Sequence, residues 1–180
     1  MLRDNIIKDY VSINDLTEFA LLDIADYDIE KETILILDDA IAITVLTYKL
    51  CKRAGLTEKY NIVVGHGFDV AMQVIKTVHA VSVFQVNYVL TDITFSSNIV
   101  VNNNSYNFNG IDLVGFLLRC NSKLKYRFLT AHNVNINTTP KMFKSYQKYA
   151  VDELLDYVEP KDKKISTNLE LIHKLVGYDV

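Results

Sequence analysis

Four residues spread along the chain carry functional groups suited to one kind of chemistry. Asp38 and Asp39 close the stretch ILILDDA, Asp92 closes VNYVLTD, and Thr130 closes YRFLT. Each follows a short, continuous apolar run. Three carboxylates packed together repel one another, and without compensation at least one takes up a proton. A hard divalent cation removes that penalty. Mg²⁺ prefers carboxylate oxygens, keeps several waters and can hold a phosphoryl oxygen in a remaining position. An acidic, metal-loaded pocket with a hydroxyl nearby suits phosphoryl transfer, where catalysis is mostly positioning and charge neutralisation. An aspartate there can itself be the nucleophile, giving an acyl phosphate.

Such a pocket requires elements that bring distant residues to one place. The runs at 33–37 (TILIL), 60–64 (YNIVV), 86–90 (VNYVL), 126–131 (YRFLTA) and, more weakly, 154–158 (LLDYV) have the length and β-branched or aromatic content of strands covered on both faces. Helical spacing lies between them. Residues 41–54 put Ile41, Val45 and Tyr48 beside Ile43, Leu46 and Leu50, with Lys52 and Arg53 in the last turn and Gly55 as the stop. Residues 69–79 place Val70, Val74, Ile75 and Val78 together with Asp69 at the start as a cap, and 111–120 place Ile111, Val114, Leu117 and Leu118 together. The last two helical segments are 140–151, opened by Pro140, and 166–176, with Ser166 as the N-cap. Strand and helix alternate five times. That order predicts an α/β fold: a five-stranded parallel sheet, doubly wound, with ligands gathered outside the carboxyl ends of the strands. Asp38, Asp39, Asp92 and Thr130 all fall at such ends.

Two segments stand outside this plan. Residues 1–32 precede the first strand and contain SINDLTEFALLDIADY, which reads as a helix with Ser12 and Asp15 as a capping box. It is either a cover for the domain or a dimerisation or partner surface. Residues 94–109, TFSSNIVVNNNSYNFN, read as an inserted β-hairpin turning at Asn102–Asn104, or as a loop. The domain proper spans 33–180.

Composition narrows the partners. The chain has 180 residues, is 49% hydrophobic and 23% charged, and carries a net charge of −3. These are the proportions of a globular protein, and no basic footprint for nucleic acid or acidic lipid is present. No apolar run reaches the ~20 residues of a membrane span, and the acid-bearing N-terminus MLRDNIIKDY lacks the apolar core of a signal peptide. Cytoplasmic location is expected, with neither nucleic acid nor membrane as partner. Cys51 and Cys120 have no partner motif and read as packing residues. The glycines of GHGF (65–68) lack a phosphate-loop spacing and read as a connection. The histidines add nothing: His66, His79 and His173 read as surface or half-buried, and His132 neighbours Thr130.

Taken in order, ILILDDA (34–40), VLTDITF (89–95), NGIDLVGFLLR (109–119) and RFLTAH (127–132) resemble the receiver domain of two-component response regulators, over residues 33–177. The resemblance implies a flavodoxin-like fold and a role for each matching position. Asp92 would be the phosphoacceptor. Asp38 and Asp39 would bind Mg²⁺ together with Asp92 and the backbone carbonyl of Thr94. Thr130 would be the switch hydroxyl, with Ala131 the small residue beside it and Tyr157 an aromatic that reorients. The phosphoryl donor would be a sensor histidine kinase or a phosphotransfer protein, and an unidentified downstream protein would read the result, with a homodimer as one form. Such a domain is a signalling element, catalysing only its own phosphorylation and dephosphorylation.

The match departs from the family at three places, one of them a longer segment between Thr130 and Tyr157. Receivers carry a lysine followed by proline at the end of the fifth strand, and here the text is DYVEPKDKK. Glu159 precedes Pro160, and Lys161 comes one place late, with Lys163 and Lys164 beyond it. Lys161 is taken first as the lysine of the site, with Lys163 and Lys164 as alternatives on long flexible stems, although a one-residue slip reverses the face of a strand side chain. The loop after the acceptor, usually short, is the 94–109 insertion. These departures raise a second reading, a degenerate receiver that binds a partner without phosphorylation. A third, a Mg²⁺-dependent phosphohydrolase with Asp92 as nucleophile, wants a second acid two residues on, where Thr94 stands.

Overall fold

A computed structural model of the chain describes residues 27–80, 84–93, 97–101, 103–130, 158–160 and 166–177. Its elements run β1 (Glu32–Asp38), α1 (Ile41–Arg53), α2 (Leu56–Lys59), β2 (Tyr60–His66), α3 (Gly67–Ala80), β3 (Tyr88–Asp92), β4 (Ser97–Val101), β5 (Asn104–Phe108), α4 (Gly110–Cys120), β6 (Lys125–Thr130), β7 (Val158–Pro160) and α5 (Ser166–Val176). The main sheet has the order β2-β1-β3-β6-β7, and every pairing in it is parallel. Four of its strands have five to seven residues, and β7, on the edge, has three. The predicted run at 154–158 meets this sheet only at Val158; 154–157 lie outside the described residues.

The continuous apolar runs are explained by cover on both faces. Ile34 to Leu37 are all buried. Leu35 and Leu37 join Val89 and Phe128 in a core with Val74 and Ile75 of α3 and Ile111, Val114 and Leu117 of α4. Ile34 and Ile36 turn the other way, meeting Leu90, Leu129, Cys51 of α1 and Leu171, Ile172 and Leu175 of α5. The sheet is therefore wound with helices on both sides, as alternating strands and helices demand.

Several local readings are corrected. Helix α1 buries Thr44, Thr47 and Cys51, while Val45 and Leu46, expected on its apolar face, are 42% and 43% exposed. Thr47 fits the helix interface because its hydroxyl accepts a hydrogen bond from Asn168 Nδ2 of α5 at 3.1 Å, which offsets the cost of its burial. The GHGF stretch is not a loop. Gly65 and His66 end β2, and Gly67, with φ 67°, opens α3 directly in a conformation glycine adopts without strain. Asp69 therefore sits within α3 rather than capping it. The third strand lies two residues later than read, at Tyr88–Asp92, and Ser166 is the first residue of α5.

The insertion forms a hairpin. β4 and β5 pair antiparallel from Ser97↔Phe108 to Val101↔Asn104, and Asn103 takes φ 64° at the turn. Ahead of β1, Tyr27 packs its ring on Phe84 at 5.2 Å between centroids, and its hydroxyl lies 3.2 Å from Thr33 Oγ1. The expected N-terminal helix, the helix at 140–151 and Tyr157 lie outside the described residues.

Candidate functional site

The strand order reverses between β1 and β3: β2 follows one way from β1, and β6 the other way from β3. The crevice outside their carboxyl ends is where such sheets hold ligands. Leu37 pairs with Thr91, so the next residues, Asp38 and Asp92, stand side by side at that rim. Asp39 follows immediately. Oxygens of all three carboxylates lie within 4.8 Å of one another. Asp38 and Asp92 are buried, at 1% and 0% exposure, while Asp39 is exposed. The cluster thus has an enclosed floor and an open side.

Local structure fixes each acid. Asp38 Oδ1 accepts the Ala40 N–H at 2.9 Å, and its Oδ2 is buried with no hydrogen bond to it among the described residues. The backbone around Asp92 is held from both sides. Thr91 Oγ1 donates to the Asp92 carbonyl at 3.0 Å, and Ile93 N–H donates to Leu129 O at 3.0 Å. Helix α4 then returns against this turn: Gly110 N–H donates to Ile93 O at 3.2 Å. A Cβ at Gly110 would collide with the Asp92 carbonyl, so glycine is required for the close approach.

The start of α4 is secured by a capping box that the sequence reading overlooked. Asn109 Oδ1 accepts from Ile111 N–H at 2.9 Å and Asp112 N–H at 3.3 Å, while Asp112 Oδ2 accepts the Asn109 N–H at 3.0 Å. The signal was present as Asn-x-x-Asp ahead of an apolar run.

Of the remaining site residues, Thr130 has its backbone at the end of β6, one residue past Leu129, which pairs with Asp92. Its side chain, all of Thr94 and Ala131, and the lysines at 161, 163 and 164 lie outside the described residues. The row through Asp92 and Leu129 continues to Glu159 on β7, with Pro160 opposite Thr130. A carboxylate, not a lysine, occupies the sheet position level with Asp92.

Three carboxylates with converging oxygens suit a hard cation, and the exposed side at Asp39 leaves room for waters on it. The donor set therefore fits Mg²⁺. The opposite end of the sheet holds a cleft of about 540 Å³ lined by Glu32, Tyr88, Asn121, Lys123 and Lys125. Some of its polar groups are used structurally: Tyr88 donates to Glu32 Oε2 at 2.7 Å, and Asn121 Nδ2 to Val86 O at 2.9 Å. Among the described residues, no group of metal-ligating side chains other than the three aspartates comes together.

No family model matches the sequence, and no curated protein does. Solved structures do. A response regulator receiver protein from Sinorhizobium medicae aligns with 84% of this chain and 96% of its own, at 13% identity and a TM-score of 0.54. A receiver protein from Dyadobacter fermentans aligns with 81% and 98%, at 16% identity and a TM-score of 0.47. The RcsB response regulator of Salmonella typhimurium aligns with 83% of this chain and 62% of its own, at 17% identity and a TM-score of 0.47. On strand order and on the Sinorhizobium alignment, the chain has the fold of response-regulator receiver domains.

Proposed function

We propose that the chain is a divergent receiver that accepts a phosphoryl group on Asp92 and signals through the resulting change at its surface. The observation carrying this reading is the meeting of Asp38, Asp39 and Asp92 at the carboxyl ends of β1 and β3, with oxygens within 4.8 Å. A carboxylate oxygen of Asp92 attacks phosphorus, the bond from phosphorus to the donor breaks, and the donor leaves with the bonding electron pair and takes up a proton. With a phosphohistidine donor, the leaving group is the imidazole. Asp38 and Asp39 would hold Mg²⁺ together with Asp92, and the ion when bound supplies charge neutralisation to the phosphoryl oxygens. The buried floor keeps Asp92 in place, and the exposed side at Asp39 is the donor's route in. Thr130, whose backbone ends β6 one residue past the partner of Asp92, would offer its hydroxyl to the acquired phosphoryl group.

Incubation with acetyl phosphate and Mg²⁺ is expected to add the mass of one phosphoryl group, with Asp92→Ala and chelation each abolishing the gain. A folded wild-type chain that gains nothing overturns the reading. Glu159 favours a second one. A carboxylate level with Asp92 adds repulsion where the family has a cation, which suits a degenerate receiver that engages its partner unphosphorylated. In that case a partner would be recovered equally by wild type and Asp92→Asn.

A further inference from the structure

The β4–β5 hairpin has an edge of a kind that proteins ordinarily guard. An outer strand presents unpaired N–H and C=O groups and invites another strand, and natural sheets blunt such edges with lysine, other charges, proline or a covering element. Here β4 and β5 form a two-stranded sheet of their own, so among the described residues each has one paired edge and one open edge. None of residues 93–111 is charged and none is proline, in a chain that is 23% charged overall. Strand β4, SNIVV, carries three consecutive β-branched residues, the composition that favours strand pairing.

We propose that the outer edge of β4 pairs antiparallel with the same edge of a second copy, joining two hairpins into one four-stranded sheet. The occupant follows from charge and symmetry. A two-fold axis sets a strand against itself, so a charged edge would place like charges opposite one another. An uncharged edge carries no such penalty. The backbone groups of a strand are complementary to those of its own copy in the antiparallel sense, so the interface closes at two. The hairpin is not a loose appendage. Phe108, at the end of β5, is buried in the core, and Asn109 and Gly110 tie the following residues to α4 and to Ile93. The dimer would therefore be built on the segment that follows the acid site directly.

Sedimentation velocity of the full chain over a wide concentration range tests this. Wild type is expected to show a reversible monomer–dimer equilibrium. Ile99, the central residue of β4, is expected to meet its own copy, so Ile99→Lys and Ile99→Glu should each weaken dimerisation on the order of tenfold. An equimolar mixture of the two should restore it. A wild type that stays monomeric throughout overturns the proposal with no variant needed. So do variants that dimerise as tightly as wild type, or a mixture no tighter than either variant alone. The readout is association rather than phosphoryl uptake. A chain that dimerises but accepts no phosphate would leave this interface standing and overturn only the role given to Asp92.

Discussion

At Asp92 the cost and the use of the site coincide. The side chain is buried beside Asp38, and their repulsion opposes folding when no cation is present. Replacing Asp92 by Asn removes one charge without changing shape. In chelator the variant is expected to melt above wild type, by about 1 kcal/mol in stability. Mg²⁺ at a hundred times its Kd should raise wild-type stability by about 2.7 kcal/mol and the variant's by less, read from thermal melts. A higher wild-type melting temperature in chelator would remove the claim of mutual strain. Glu159→Lys puts a cation into the row that contains Asp92 and should increase phosphoryl retention about tenfold, measured by the decay of the modified mass. The three aspartates were legible in the sequence because each ends an apolar run, and such ends face one rim. The lysine was not. A single-residue slip near Pro160 sends a side chain to the other face, and periodicity in DYVEPKDKK does not fix the register. Glu159 occupies the row, and Lys161 lies outside the described residues.

Among the elements, α4 gives the sharpest contrast. It contains two glycines with opposite surroundings. A Cβ at Gly110 would strike the Asp92 carbonyl, whereas one at Gly115 meets nothing within 4 Å. Gly110→Ala is expected to destabilise by about 2 kcal/mol or more and to disturb Asp92, while Gly115→Ala should stabilise by about 0.5–1 kcal/mol. Urea unfolding of both variants checks the pair, and equal signs would show that the close approach is misplaced. Helix α1 shows where pattern reading fails. Counting apolar residues selected Val45 and Leu46, yet the buried stripe runs through Thr44, Thr47 and Cys51. Threonine is scored as polar in such counts. It packs well where a neighbouring helix, here through Asn168, answers its hydroxyl. The strands were read more securely, because cover on both faces writes itself as an unbroken apolar run.

Across the whole molecule, alternation of strands and helices fixed the fold class, and the strand order then placed the crevice between β1 and β3. What alternation could not reveal was the order itself, which depends on crossovers that leave no local signature. The two buried faces have a measurable consequence at high pH. Burial pushes the Cys51 thiol up from 9.0 to about 11, and the Tyr88 phenol is also raised, by burial first and then by its hydrogen bond to Glu32. The folded chain holds the thiol proton more tightly than the unfolded one. This stabilisation is complete below about pH 9 and is lost as pH rises towards 11. Stability should therefore fall through that window by about 2 kcal/mol from this thiol, and Cys51→Ala should flatten the decline. Alkylation separates the cysteines further: exposed Cys120 should react at once, and buried Cys51 only at the rate of opening.

The clasp ahead of β1 ties residues 27–31 to the sheet. Asp28 N–H donates to Asn61 Oδ1 at 3.0 Å, and Asn61 Nδ2 donates to the carbonyls of Asp28 at 2.7 Å and Lys31 at 3.0 Å. Those bonds sew the entering backbone to β2, while Tyr27 roofs Phe84. A gene trimmed to start at Tyr27 keeps these bonds and this ring contact. One trimmed at Thr33, where the first apolar run starts, uncovers an aromatic ring and strips an amide of three bonds. Recombinant yield and melting temperature should drop sharply between those two starting points.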